Sequence, residues 1–375
     1  MAAAMAMLDD SHLPLPQPRD DHNTYHLGEI GHHNIVIACL PAGVYGITSA
    51  AIVAKQMLLS FSSIDFGLMV GIGGGAPSET ADIRLGDVVV SIPTDRYPGV
   101  VQYDYGKTLA NGFFYQTGTL NKPAEALLTA IANLRARHRI GHSTMAMLME
   151  SAAKSSHGTH AMFTYPDTLQ DVLFEPSYTH KSDRPSCETC EPASRVQRPS
   201  RESTMPVVYY GLIASANQVM KDAITRDKLS NQLDVLCFEM EAAGLMDRFP
   251  CLVIRGICDY SDSHKNKQWQ DYAAGTAAAY ARELLEFSVP QRMPTRPNTT
   301  KQSVWSKLPI STMAFLGRIK EMEELQQCFD NTELGRRVAV IWGLIHVRQW
   351  LSNPWSKCWC SSAVSLLEGS LLLPW

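Results

Sequence analysis

Short apolar segments alternate with longer segments of helical periodicity between residues 33 and 287, and this alternation constrains the fold more than any other feature. The segments predicted as strands are residues 33–40, 66–72, 86–92, 207–215 and 251–257. The segments predicted as helices are residues 46–61, 123–138, 219–229 and 269–287. Strands that alternate with helices predict an α/β domain with helices on both faces of a mixed or parallel sheet.

The composition is that of a globular chain with a sizeable core. The 375 residues are 45% hydrophobic, with a formal net charge of -4. This charge gives no overall basic field, so we expect no nucleic-acid partner and no membrane surface as partner. No apolar segment reaches the ~20 residues that a membrane-spanning helix needs. The nine cysteines are odd in number and scattered, which favours reduced thiols in the cytoplasm over a disulfide framework.

Two segments interrupt the alternation and suggest a division of the chain. Residues 141–206 are rich in proline and mixed charges, and are predicted as a partly irregular insert in a main domain spanning residues 1–289. Residues 290–311 are predicted as a linker. Residues 312–343 are predicted to form a helix and a strand at the start of a second domain, and residues 344–375 are predicted as an irregular tail.

A glycine-rich segment, VGIGGGAP, comes at the end of the predicted strand 66–72. Glycines such as Gly73 and Gly74 allow the backbone to approach a ligand closely and to point several N–H groups at it. Such an arrangement suits phosphate or sugar oxygens. The same glycines also fit a tight turn that binds nothing.

Three acidic residues, Glu239, Glu241 and Asp259, flank the apolar strand 251–257. A buried carboxylate costs several kcal/mol unless it is paired or used. Asp259 follows the strand, at the sheet edge where α/β proteins bind ligands, and is a candidate proton donor. At a strand-to-helix junction, one of the two glutamates can accept both hydroxyl protons of a sugar cis-diol. The alternative is that these acids only favour the first turn of a helix.

A cysteine pair in the insert is a candidate metal-binding motif. Cys187 and Cys190 form the sequence CETC, and His180 precedes them. Two cysteines and a distant histidine do not supply the four ligands of a structural zinc site. We therefore predict no metal site.

Several segments appear together in an order that is specific to one family. They are VGIGGGAP with IRLGDVVVS, then YYGLIASANQV, CFEMEAAG and RGICDYSD. Residues 23–287 thereby resemble the nucleoside phosphorylase/nucleosidase superfamily, in the form that fungi fuse to nucleotide-binding, repeat-bearing receptor-like proteins. The resemblance implies a three-layer α/β/α fold with a mixed central sheet. It also implies cleavage of the N-glycosidic bond of nucleosides, with purine nucleosides as the expected substrates, without a cofactor and in a homo-oligomer.

The resemblance assigns a role to several residues. It implies that Glu241 holds the ribose 2′- and 3′-hydroxyls, that Met240 packs against the sugar, and that Asp259 protonates the purine at N7. It places Asn217 and Val219 against the base. Glu239, Gly73 and Gly74 complete the predicted substrate-binding residues. An oxocarbenium-like transition state benefits from such a general acid and from nearby negative charge.

The resemblance leaves hydrolysis and phosphorolysis both open, with phosphate as a possible co-substrate. Phosphorylases of this family have an arginine just before the V-G of the glycine-rich segment, where this chain has Met69. A thioether does not bind phosphate as a guanidinium does. We therefore favour hydrolysis.

Two departures from the family affect the functional prediction. We expect this chain to lack the family's first strand, which carries the acidic residue that activates water in nucleosidases. At the other end, the segment from residue 312 resembles the entry to a signal-transduction NTPase, but Arg348, Gln349 and Trp350 stand where a P-loop would end. We predict no ATP binding there. The alternative function is a sensor or effector module, weakly active or non-catalytic, of a receptor-like signalling protein.

Overall fold

The computed structural model describes residues 1–110, 114–155, 158–181, 186–249, 251–288 and 337–343. The strands are β1 (Asp10–His12), β2 (Tyr25–Ile30), β3 (His33–Cys39), β4 (Phe66–Gly75), β5 (Val88–Ser91), β6 (Val100–Gln102), β7 (Gly106–Thr108), β8 (Phe114–Gln116), β9 (Val208–Ser215), β10 (Val235–Glu239), β11 (Cys251–Asp259) and β12 (Arg337–Gly343). The helices are α1 (Ala2–Met5), α2 (Ile47–Ser60), α3 (Glu125–Arg139), α4 (Met145–Ser155), α5 (His160–Phe163), α6 (Ala223–Leu233) and α7 (Gln270–Ser288).

The strands form a mixed sheet, part of which closes on itself. Along the sheet the order is β1-β2-β3-β12-β4-β10-β9-β5-β11, and β11 also pairs with β4. The second pairing joins β4, β10, β9, β5 and β11 into a closed ring, with β6 attached to β9. Closure removes the unpaired edges that the five ring strands would otherwise expose.

Helices cover both faces of the sheet, which confirms the predicted α/β architecture with a mixed central sheet. Strand β4 shows the division, because its side chains alternate between the faces. Leu68 and Val70 lie in a core with residues of α3, α4 and α7, whereas Met69 lies in a second core with residues of α2. Apolar residues are buried on both faces, which explains the almost uninterrupted apolar sequence of β4.

A glycine positions the long helix α7 against β11. A Cβ atom at Gly256 would lie 1.8 Å from the backbone oxygen of Ala273 in α7. Any larger residue would force the helix away from the strand. This close approach fixes the strand that ends at Asp259.

The structure differs from the predicted elements at several boundaries. Strand β4 continues through the glycines to Gly75, so the alternative of a tight turn there is wrong. Helix α6 begins at Ala223 because the Asp222 carboxylate accepts hydrogen bonds from the backbone N–H groups of the next turn. Residues 145–155 of the predicted insert form a regular helix, α4, which periodicity did not reveal.

No helix in the described ranges is both long and apolar enough to cross a membrane.

Strand β12 lies in the middle of the sheet, although it is far from its neighbours in sequence. It pairs in parallel with β3, where Val340 lies opposite Ile37, and with β4, where it lies opposite Leu68. The predicted strand in the segment 312–343 is therefore present, and it pairs with strands of the main domain. The predicted linker 290–311, residues 312–336 and the tail 344–375 lie outside the described residues, and the domain boundaries stay predictions.

A proline in β12 tests this placement. Ala339→Pro removes one backbone N–H from a strand that is paired on both sides, which leaves a buried acceptor unsatisfied at about 1–3 kcal/mol. We expect Ala339→Pro to lower the free energy of unfolding by at least that amount in chemical denaturation. Ala339→Gly keeps the N–H and should cost only about 0.5–1 kcal/mol. Equal stability of the two variants would contradict the pairing of β12.

Candidate active site

The candidate site lies where three strands of the ring meet at the carboxyl end of β4. In the strand register, Gly74 lies between Phe238 of β10 on one side and Asp259 of β11 on the other. Glu239, the last residue of β10, pairs with Ser215 of β9. The topology therefore brings together residues that are up to 185 positions apart in sequence, as in the contact between Cys258 Sγ and the backbone oxygen of Gly73.

The glycines of β4 act through their lack of a side chain and not through an unusual backbone. None of Gly71, Gly73, Gly74 and Gly75 has a positive φ. A Cβ atom at Gly74 would lie 2.1 Å from Ser261 Oγ and 2.6 Å from Asp259 Oδ1. A glycine is therefore required at position 74 for the Asp259 carboxylate to lie against the strand.

Glu239 serves a structural purpose inside this site. One of its carboxylate oxygens, Oε2, contacts Nη2 of Arg255. The same carboxylate accepts hydrogen bonds from the backbone N–H groups of Glu241, at 3.1 Å, and Ala242, at 3.1 and 3.2 Å. These bonds fix the turn after β10 and thereby the position of the next acidic residue, Glu241.

Glu241 is the side chain that this turn aims into the site. Its Oε2 atom lies 3.2 Å from Arg255 Nη2, while Oε1 is buried and has no hydrogen-bond partner among the described residues. Burial raises the pKa of Glu241 to about 7, an effect that Arg255 partly offsets. A buried carboxylate oxygen without a donor is suited to accept a hydrogen bond from a hydroxyl group of a ligand.

Arg255 links the two glutamates and was assigned no role from the sequence. Its side chain is fully buried in the middle of β11. Burial acts to lower its pKa, but the carboxylates of Glu239 and Glu241 outweigh this effect and hold the pKa above its ordinary value. The sequence does contain a signal for this role, because an arginine inside the apolar run CLVIRGIC must have a buried acidic partner.

Asp259 lies at the end of β11 and is 4% exposed. Its Oδ1 accepts a hydrogen bond from the backbone N–H of Ser261 at 2.9 Å, and its Oδ2 lies 2.8 Å from Nζ of Lys265. The side chain of Lys265 is only 12% exposed and pairs with Asp259. Burial acts to lower the pKa of Lys265, but Asp259 reverses this effect and the pKa is raised.

Comparisons with known proteins found one similar curated protein and several similar solved structures. No family model matches the chain. The chain is 44% identical over 345 residues to a nucleotide-binding leucine-rich repeat (NLR)-like protein of Hyaloscypha variabilis, a match that covers 91% of the chain. The chain spans about a third of the length of that curated relative, 33%.

Several similar solved structures are nucleosidases at low sequence identity. One is a mutant of the nucleosidase MTAN of Helicobacter pylori with 5′-methylthioadenosine in the active site, with a TM-score of 0.47 and 14% identity over 76% of this chain and 93% of that chain. Another is futalosine hydrolase of the same organism, with a TM-score of 0.44 and 16% identity over 76% of this chain and 91% of that chain.

The residues predicted to line the base lie at the edge of the site. Asn217 is exposed, and its side-chain oxygen accepts a hydrogen bond from the backbone N–H of Ile47 at 2.9 Å. This bond ties the loop after β9 to the first residue of α2. Val219 is half-buried in the same loop, and Met240 is buried between the two glutamates. Their contacts with a ligand stay predictions.

A second buried aspartate follows Asp259 in the same loop and was not singled out from the sequence. Asp262 is 3% exposed and accepts a hydrogen bond from the backbone N–H of His264 at 2.9 Å. Burial raises the pKa of Asp262 to about 6, although Arg226, 3.9 Å away, acts in the opposite direction. A carboxyl group with this pKa is a second candidate acid, which mutation has to separate from Asp259.

Proposed function

We propose that this chain cleaves the N-glycosidic bond of purine nucleosides. The observation that carries the proposal is the buried Oε1 atom of Glu241, to which no described residue donates a hydrogen bond, beside the strand end that holds Asp259. Arg255 holds the other oxygen of Glu241, so Oε1 remains to accept a ribose hydroxyl proton. The family resemblance of the CFEMEAAG and RGICDYSD segments supports the same assignment.

The proposed mechanism divides the work between the two carboxyl groups. Glu241 binds the ribose hydroxyls, and its charge favours the positive charge that develops on the sugar in the transition state. Asp259 delivers a proton to N7 of the purine, which makes the base a better leaving group. Because Lys265 contacts Asp259 at 2.8 Å, the proton transfer requires this ion pair to rearrange when substrate binds.

We propose hydrolysis over phosphorolysis because of the surroundings of Met69. Its side chain is fully buried in β4, and its sulfur lies 3.6 Å from Nη2 of Arg255. Arg255 is also occupied by two glutamates, so this guanidinium is not available to an anion. The phosphate-binding arginine of the family's phosphorylases thus has no equivalent at this position.

A nucleoside panel tests the proposed function. Adenosine, guanosine, inosine and uridine are incubated with the full chain, with and without inorganic phosphate, and free base and sugar products are separated by chromatography. We expect purine base and free ribose at a rate that phosphate does not change. Ribose 1-phosphate, formed at a rate that rises with phosphate, would contradict hydrolysis. No base from any nucleoside would contradict cleavage.

A second candidate function is nucleoside sensing without catalysis. The similarity to the NLR-like protein, a third of which this chain spans, favours it. Titration calorimetry separates the two functions. Binding of a nucleoside that the protein does not cleave, and loss of that binding in Glu241→Gln, would support the sensor. Turnover of the bound nucleoside supports the enzyme.

A further inference from the structure

The insert contains a cluster of metal-ligating side chains outside the candidate active site. His180, Cys187 and Cys190 each offer one ligand atom, and these atoms all lie within 4.8 Å of one another. Cys190 is buried, whereas His180 and Cys187 are half-buried. The sequence predicted no metal site because two cysteines and a distant histidine do not supply four ligands, but the fold brings these three side chains together.

We propose that His180, Cys187 and Cys190 bind a zinc ion that fastens the insert to the loop after β11. Thiolate and imidazole ligands in a C-x-x-C arrangement favour Zn²⁺ over Mg²⁺ or Ca²⁺, which prefer oxygen. Zinc–ligand bonds of about 2.0–2.3 Å require ligand atoms only slightly closer together than they are here. Neither the fold of the ring nor the proposed nucleoside chemistry uses these side chains, so the proposal is independent of both.

The surroundings of the cluster are those of a metal site. Nε2 of His180 lies 3.2 Å from the backbone oxygen of Ser186. A backbone carbonyl that accepts a proton from a ligating imidazole fixes the orientation of the ring, as second-shell carbonyls do in zinc proteins. His264 adds a further imidazole, because it is buried and its ring centre lies 5.4 Å from that of His180. Neither ring nitrogen of His264 makes a hydrogen bond to a described residue.

Zinc binding to the two cysteines is expected to release protons. Binding of one Zn²⁺ converts two thiols to thiolates and releases two protons, so affinity rises with pH.

The cluster is attached to the loop that holds the Asp259 ion pair. The backbone N–H of His180 donates a hydrogen bond to Ser263 Oγ at 2.9 Å, and Cys187 Sγ lies 3.9 Å from the backbone oxygen of His264. Lys265, the partner of Asp259, is the next residue. A bound ion would therefore hold the insert against the residues that position the Asp259 carboxylate.

Metal analysis of the full chain tests the proposal. Protein purified without chelator is expected to contain about one zinc per chain by mass spectrometry, and Cys187→Ser and Cys190→Ser are expected to lose it. Cys39→Ser is the matched control, because Cys39 is also a free, half-buried thiol but lies in β3. Full retention of zinc by the two insert variants, or no zinc in the unaltered chain even after incubation with Zn²⁺, would overturn the proposal.

A second measurement uses the unaltered chain and so does not depend on the folding of the variants. After exchange of zinc for Co²⁺, thiolate-to-cobalt charge-transfer absorption is expected, and alkylation by iodoacetamide should spare Cys187 and Cys190 until a chelator is added. Equal alkylation of these cysteines with and without metal, or a cobalt spectrum without thiolate bands, would contradict the proposed ligands.

Discussion

Asp259→Asn is expected to lower kcat for purine nucleoside cleavage about 10²–10⁴-fold, the usual contribution of a general acid. Asparagine has nearly the same shape as aspartate, but its amide is not acidic and delivers no proton to N7. Its single side-chain oxygen can keep the hydrogen bond from Ser261 N–H, while the amide NH2 replaces the oxygen that now faces Lys265. We therefore expect a modest loss of melting temperature and little change in KM. Steady-state kinetics by base release, together with thermal denaturation, measure both effects.

Asp262→Asn is the matched comparison for this experiment. Asp262 is a buried aspartate three residues along the same loop, and its raised pKa of about 6 makes it the competing proton donor. Near-normal turnover in Asp262→Asn, with loss in Asp259→Asn, would assign the donor to Asp259. The reverse result would move the assignment to Asp262 and contradict the role that the family resemblance implies.

The order of the strands and helices followed from the sequence because their signals are local. The strands at residues 33–39 and 251–259 and the helices at residues 47–60 and 270–288 all lie within a residue or two of their predicted positions. Each has a long apolar run or a clear helical period, and short-range propensity decides such segments. Strand β10 (Val235–Glu239) was not predicted, because five residues that end in a charge carry little periodic signal.

The site was only partly predictable because its key contacts join distant parts of the chain. The acidic residues were singled out from the cost of burying charge, and the structure does bury all three. Arg255 and Lys265 offset this cost by pairing with the carboxylates. Sequence spacing alone could not show which acidic residue each of them pairs with. The closed ring could not be predicted for the same reason, because the β4–β10 and β4–β11 pairings depend on long-range register and not on local pattern.

The position of β12 within the sheet could not be predicted from local sequence patterns either. Its apolar sequence predicted a strand, but nothing in the sequence states which neighbours a strand will have. In the structure it separates β3 from β4, and both neighbours are parallel to it. A central position in this sheet is held by residues 337–343.

Arg255→Met is expected to destabilise the protein by about 3–5 kcal/mol, the largest stability effect that we predict for a single substitution. Methionine fills a similar volume but leaves the carboxylates of Glu239 and Glu241 buried without their shared cation. Breaking a buried ion pair from one side costs about this much, because the remaining charge has lost its compensation. Urea denaturation at several pH values measures the effect. Met69→Leu is the control, because it removes only a sulfur contact of Arg255.

The pH dependence of this loss separates electrostatics from packing. Arg255 acts to lower the pKa of Glu241, which burial nevertheless raises to about 7. Without the guanidinium the pKa of Glu241 in the folded protein rises further above its unfolded value of about 4.5. A carboxyl group with a raised folded pKa binds more protons when folded, so its destabilising effect is absent below that unfolded value and grows as pH rises. The unaltered protein carries the same penalty up to its own folded pKa of about 7, so the deficit of Arg255→Met should be constant below about pH 7 and increase above it. A deficit that does not vary with pH would mean that Arg255 contributes through its volume and not through its charge.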